Sequence, residues 1–248
     1  MNFKKITFIL FVLFTTKTNI AQTSTFFSDG MIEFERKLNL YAVMDEANFT
    51  NGDDSWKKST PQFKISYFNL KFNSKEALYE PGRKNPQNNN LWPRPAEDNS
   101  VHTDFIFKRE IAKKNVYGET FIISDSNTQI KWKITDEIKI IAGYECRRAN
   151  ALIMDSIYVV AFYTDQITTS GGPESFKGLP GMILGVAIPH QHISWFATKV
   201  DISSKPTIEF KLLQKSKQHS KIQFYMEIKN LMKDWGKSAN KYFSEIMF

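Results

Sequence analysis

Cysteine is all but missing from this chain. Cys146 is the single one among 248 residues, so no internal disulfide can form and stability must come from the core. Cys146 lies in an apolar-rich stretch and reads as a buried structural thiol, a reactive thiol being the alternative. The standard catalytic and phosphate motifs are missing too. There is no His-Glu-x-x-His, no Cys-x-x-Cys and no Gly-x-Ser-x-Gly elbow, which removes the sequence basis for zincin, thioredoxin-type and serine-hydrolase chemistry. Gly171 to Gly178 lacks the Gly-Lys-Ser/Thr ending of a phosphate loop. No fixed-period repeat, heptad array or domain linker occurs. Gly-rich strand-to-helix units are absent, which argues against a parallel doubly wound sheet.

Long apolar runs are confined to the start. Met1 to Lys5 is a basic n-region and Ile6 to Phe14 an apolar stretch too short to span a bilayer. Asn19-Ile20-Ala21 before Gln22 is an acceptable cleavage site. Residues 1–21 are therefore expected to be a cleavable signal peptide, with an uncleaved anchor as the alternative. No Cys lies near the site, so a lipoprotein is not expected. The formal charge is +7, from 33 basic and 26 acidic residues. Losing Lys4, Lys5 and Lys17 with the signal would leave +4. That modest balance on an exported chain disfavours nucleic acid as a partner.

What is present is material for a β-rich core: 42% hydrophobic residues, with 21 Phe. Residues 22–248 read as a single domain. From Gly30, Ile32, Phe34, Leu38 and Leu40 fall on one face of a period-two pattern, with Arg36 as the exception. Asn51 to Asp54 is a turn signal, with a short helix expected near Trp56. Further strands are expected over Phe63–Phe72, Lys75–Glu80, Asp104–Arg109, Val116–Ser124, Gln129–Thr135, Tyr144–Ile153, Ile157–Thr164, Met182–Ile188, Ile193–Val200 and Thr207–Leu213. Asp125-Ser126-Asn127 reads as the turn before the strand at Gln129. Pro81 to Ser100 carries Pro81, Pro86, Pro93, Pro95 and three consecutive Asn. It reads as disordered or as a surface excursion, unless Leu91 and Trp92 pin it. Phe224, Ile228, Leu231, Trp235, Ala239, Tyr242 and Ile246 recur at helical spacing. They predict one long C-terminal amphipathic helix packed on the sheet, a membrane-surface helix being the alternative. The expected fold class is thus α+β: a curved antiparallel sheet, a half-barrel-like meander, against that helix.

The densest signal is Gly171-Gly172-Pro173-Glu174-Ser175-Phe176-Lys177-Gly178-Leu179-Pro180-Gly181-Met182-Ile183. Pro180 and Gly181 suit the second and third positions of a type II turn, with φ > 0 at Gly181. Gly178, Leu179, Pro180, Gly181, Met182 and Ile183 form the structural motif. Ser170, Gly171, Gly172, Pro173, Glu174, Ser175, Phe176 and Lys177 form the stretch where a binding surface is expected. His190 and His192 would share a face on a strand and are weak metal candidates, but two ligands are too few. Otherwise they end a hairpin. Ser175, His192 and Asp165 are a triad on paper only. Glu145, Asp155, Asp165 and Glu174 are acids that could serve glycoside hydrolysis only if two faced one another across a cleft. Asn48-Phe49-Thr50 matches a glycosylation triplet.

Several of these stretches resemble the GLPGLI family. Gly178 to Ile183 is similar to its signature, with Met182 in place of Leu. Gly30 to Arg36 resembles the family's opening strand, and Ile141 to Ala149 its Gly-aromatic-x-Cys-basic-basic-Ala strand. Ala161 to Asp165 with Gly172-Pro173 resembles the approach to the motif, and Asp234 to Lys237 the family's end. His190 departs from the basic residue expected after Ala187-Ile188-Pro189. The resemblance implies an exported protein of a Gram-negative bacterium, often associated with outer-membrane transport. It implies no catalytic residue, and a shared position for Cys146 without a role.

The expectation is therefore an exported, periplasmic or secreted, non-catalytic binding or accessory protein of the cell envelope. It takes no cofactor, and its partner is an apolar ligand or an outer-membrane transporter. A hydrolase acting on polymers and a His-based metal-binding protein are the alternatives.

Overall fold

The computed structural model describes residues 26–46, 52–126, 129–154, 156–211, 218–235 and 239–247. The expected signal peptide, the triplet Asn48-Phe49-Thr50 and Asp155 lie outside them.

The chain is mostly β, with 46% of residues in strands and 16% in helices. The strands are β1 (Gly30–Asn39), β2 (Phe63–Phe72), β3 (Glu76–Pro81), β4 (Ser100–Asp104), β5 (Arg109–Val116), β6 (Glu119–Ser126), β7 (Lys133–Ile141), β8 (Tyr144–Ile153), β9 (Ile157–Thr164), β10 (Met182–Ile188), β11 (Ile193–Asp201) and β12 (Gln218–His219). They form one open sheet in the order β12-β6-β5-β4-β3-β2-β1-β11-β10-β9-β8-β7. This is two antiparallel meanders, β1 to β6 and β7 to β11, joined where β1 lies beside β11. Among the described residues the parallel pairings are the short β12 with β6 and an isolated bridge between Phe27 and Ile167.

β1 shows why the join holds. Every second residue, from Ile32 through Phe34 and Arg36 to Leu38, is buried, a period-two pattern that specifies register, with one shift against β11 between Glu33 and Phe34. Its ten residues pair without a shift against β2. Behind them Phe68 stacks on Tyr79 at 4.8 Å, and Phe34 meets Tyr79 edge-on at 6.4 Å.

Two strand expectations straddled turns. Asp104–Arg109 was apolar enough to read as a strand, yet residues 105–108 are a turn. Ile106 and Phe107 stand 62% and 68% exposed at its tip. The Asp104 carboxylate accepts the Phe107 N–H at 2.8 Å, the local bond that favours a turn over a strand. Likewise, β5 ends at Val116, and Tyr117 (φ 51°) with Gly118 (φ 91°) makes the two-residue hairpin. Residues 207–211 form no strand.

The long C-terminal helix is not there. The segment forms α2 (Lys221–Leu231) and α3 (Ala239–Met247), after the short α1 (Leu40–Glu46). Ser220 caps α2 in a capping box with Gln223. The helix ends as the Trp235 N–H turns back to the Met232 carbonyl at 3.0 Å. The two helices have different docking sites. On α2, Phe224 packs 5.2 Å from Phe121 of β6. On α3, Glu245 reaches Arg36 of β1. One straight helix could not serve both, so tertiary contacts override the uninterrupted apolar stripe. The fold class is accordingly mostly β with short helices, not α+β. Among the described residues no helix is long and apolar enough to cross a membrane.

Pro81 to Ser100 is pinned, with Leu91 packed against the core and Trp92 held through its carbonyl, not its ring, which is 89% exposed. Asn85 and Asn88 donate to the Ile65 carbonyl at 3.0 and 2.7 Å. Lys64 holds the Trp92 carbonyl at 2.6 Å and pairs with Glu97.

Candidate functional site

The loop between β9 and β10 carries the motif and packs over the sheet. It closes on itself where Ser170 Oγ donates to the Leu179 carbonyl at 2.6 Å. Trp132 Nε1 donates to the Lys177 carbonyl at 2.9 Å. Gly171, Gly172, Pro173, Glu174, Phe176 and Lys177 are buried and Ser175 is half-buried. The stretch where a binding surface was expected is mostly buried, and Glu174, Ser175 and Phe176 face a cleft.

Gly181 has the positive φ expected, at 141°. The turn itself differs from the type II expectation. Gly181 N–H bonds the Leu179 carbonyl at 2.8 Å, while Met182 N–H bonds Ile167 across the loop at 3.0 Å. A Cβ at Gly181 would collide with the Thr164 carbonyl oxygen. Gly178 also takes a positive φ, at 92°.

A cleft of about 680 Å³ opens beneath this loop. β5 and β6 contribute Glu110, Ala112, Lys114 and Ile123, α2 contributes Ile222, Phe224 and Tyr225, and the end of β8 contributes Leu152 and Ile153. The loop supplies Glu174, Ser175 and Phe176. β6 and β8 lie far apart in the strand order, so lining one cleft requires the sheet to curl. The volume is that of a small-molecule site, and the lining is mostly apolar with a few polar groups, as such sites are.

The polar groups fall into a cluster around Glu110 and two further buried contacts, at Lys114 and Glu174. On β5 the inward positions are Glu110, Ala112, Lys114 and Val116. Glu110 pairs with Lys177, accepts from Ser175 Oγ at 2.7 Å, and meets Lys221 Nζ at 3.6 Å. Lys221 also meets Asp125 at 3.3 Å. Lys114 donates to the Ile246 carbonyl at 3.1 Å, and burial lowers its ammonium to about 8. Glu174 is 4% exposed and accepts from Asn99 Nδ2 at 3.0 Å through Oε2. Burial raises its carboxyl above the ordinary value, with Glu110 adding to the rise and Lys114 and Arg36 opposing it. Further along the same face, Arg36 and Arg94 share Glu245 at 3.4 and 2.6 Å. The Arg36 guanidinium lies 5.8 Å over the Trp195 ring.

Other sequence candidates are scattered. His190 is exposed, and His192 caps a 3-10 turn and contacts Glu46, so the two are not on a strand. His102 pairs with Glu76, and His219 lies by Glu227. Among the described residues no three His, Cys, Asp or Glu side chains could hold a metal ion together. Ser175 bonds Glu110, while Asp165 is exposed, so the paper triad is not assembled. Of the three described acids, Glu145 and Asp165 are exposed and Glu174 enters the cleft. Cys146 is buried, and burial pushes its thiol up to about 12.

Glu110, Lys114, Asn99 and Lys221 were missed from sequence. The available signal was Arg36, a charge on the apolar face of β1, which marks that face as carrying ions.

A family model described as "Protein of unknown function (Porph_ging)" matches residues 152–185, from the end of β8 through the loop into β10. No curated protein matches the sequence. Among solved structures, one titled "Structure of PNGF-II in P21 space group" has a TM-score of 0.52 at 14% identity. It matches over 79% of this chain and 32% of that one. A second, in space group C2, has a TM-score of 0.49 at 14% identity, over 78% and 31%. The chain thus spans about a third of the structures it matches. At this identity the likeness concerns the fold alone.

Proposed function

We propose that this is an exported, non-catalytic binding protein of the cell envelope that holds a small ligand with an apolar body in the cleft between α2 and the sheet. The observation that carries the reading is the cleft itself, about 680 Å³, walled by Ile123, Ile130, Phe176, Phe224 and Met247. Export rests on the basic and apolar start of the chain before Gln22. Attachment to outer-membrane transport rests on the GLPGLI resemblance of Gly178 to Ile183. An outer-membrane transporter is the partner that resemblance suggests.

The binding test is uptake of the apolar dye N-phenyl-1-naphthylamine. The expected result is saturable fluorescence enhancement, weakened about tenfold by Ile222→Asp. Ile222 lines the mouth and is 76% exposed, so its replacement leaves folding intact. No saturable uptake overturns the reading. Export is checked by the mass of the protein recovered from its own cells, which should begin at Gln22.

One observation favours a second reading, a hydrolase. Glu110 and Glu174 line the same cleft, and a carboxyl raised by burial suits a general acid. Hydrolysis of envelope polymers abolished by both Glu110→Gln and Glu174→Gln would support it. Activity surviving in both variants removes it.

A further inference from the structure

Among the described residues, the polar atoms of the buried side chains lining the cleft are spoken for, with one exception, while Gln129 and Lys131 line it from the exposed side. Lys177 is paired with Glu110, Lys221 meets Glu110 and Asp125, and Lys114 holds the Ile246 carbonyl. Glu174 Oε2 is held by Asn99. Glu174 Oε1 is buried and has no hydrogen-bond partner among the described residues. A buried acceptor left unmatched is costly and calls for an explanation. Glu174 also sits at φ 51°, a left-handed conformation that a residue with a Cβ resists. Such strain persists where the surroundings over-determine a position, often at ligand clamps. The neighbours Asn99, Phe176 and the loop closure at Ser170 supply that constraint.

The charges around this oxygen narrow what can meet it. Oε1 belongs to a carboxylate with Glu110 in the same lining, so a carboxylate or phosphate head set against that oxygen would meet like charge at contact. Lys114, Lys131 and Lys221 line the cleft as well, so an ammonium head would face like charges on its way in. A neutral group with an O–H or N–H avoids both penalties and fills the open acceptor.

Building on the binding reading above, we infer that Glu174 Oε1 is the specificity-determining acceptor of the cleft, and that it selects ligands whose apolar body ends in an uncharged hydrogen-bond donor, a hydroxyl or a primary amide. The apolar body lies against Ile123, Phe224 and Met247, and the donor head reaches inward to Glu174.

The test displaces N-phenyl-1-naphthylamine from the full chain at pH 7.5 with four ten-carbon probes. Decanol and decanamide carry a neutral donor, methyl decanoate an acceptor only, and decanoate a negative charge. The two donors should displace the dye at about tenfold lower concentration than the other two. In Glu174→Met, with each probe's displacement taken relative to that variant's own dye affinity, the preference should be lost. Should this variant fail to fold, Glu174→Gln serves instead. Its amide N–H can face the cleft, so methyl decanoate should gain on decanol at least threefold. Equal displacement by all four probes, or a donor preference that survives in the variant that folds, overturns the assignment while leaving the binding reading intact. A dye that does not bind the wild-type chain overturns both. Comparing decanol with decanamide distinguishes the two donor chemistries.

Discussion

β10 and β5 belong to the same sheet and bury their residues with opposite materials. In β10, Met182, Ile183, Leu184, Val186 and Ile188 are all fully buried. Both faces are covered, as a run of uninterrupted apolar residues requires. In β5 only alternate residues are buried, and two of those four are Glu110 and Lys114. The comparison separates two jobs. β10 and its neighbours β9 and β11 supply the hydrophobic burial that holds the sheet together. β5 carries ions into the interior, where buried pairs add little net stability, so its composition is explained by the cleft it lines.

The largest expected effect breaks the apolar side of this comparison. Gly181→Val places a side chain against the Thr164 carbonyl at a φ of 141°. It should cost about 4 kcal/mol or more, or abolish soluble protein. An unchanged urea midpoint would contradict this. Next, Leu184→Ala should cost about 3 kcal/mol through the cavity left in a fully buried site, measured by the same unfolding curves. On the charged side, Glu245→Met should also cost about 3 kcal/mol, because it leaves Arg36 and Arg94 buried without their shared carboxylate. A loss below 1 kcal/mol would mean that water reaches those guanidinium groups.

A smaller effect lies in pH. Burial raises the Glu174 carboxyl above its unfolded value of 4.5, so the folded state binds the proton more tightly. The resulting stability is fully present below 4.5 and is lost as pH rises through the folded value. Relative to Glu174→Gln, the wild-type melting temperature should therefore fall between pH 4.5 and 7.5. Parallel curves for the two proteins would show that Glu174 is solvated. The smallest signal is chemical. With its thiol fully buried and pushed up to about 12, native Cys146 stays protonated and out of reach at pH 8. Iodoacetamide should label it after unfolding and not before.

β2, β8, β9 and β10 were expected with the boundaries they have. In β9 and β10 a near-continuous apolar run reports the burial directly, whereas the boundaries of β8 came from its flanking turns, since its buried positions change phase between Cys146 and Ala149. β5 resisted because its two faces differ little in polarity: Glu110, Ala112, Lys114 and Val116 on one, Ile111, Lys113 and Asn115 on the other. No hydropathy rule says which turns inward. That choice is made by Lys177, Ser175 and Lys221, which are 65 or more residues away from Glu110 and bind it only after the loop and α2 have docked.

The same distinction runs through the whole molecule. By itself the sequence determined the mainly antiparallel β character, the Gly181 position with its positive φ and the absence of any disulfide, since each depends on residues close together in the chain or on composition. Tertiary structure decided that β1 meets β11, that the apolar stripe after Phe224 breaks into two helices, and that Ser170 to Lys177 turns inward. Those outcomes depend on contacts between distant segments, such as Glu245 with Arg36 and Phe224 with Phe121. Local periodicity carries no record of them.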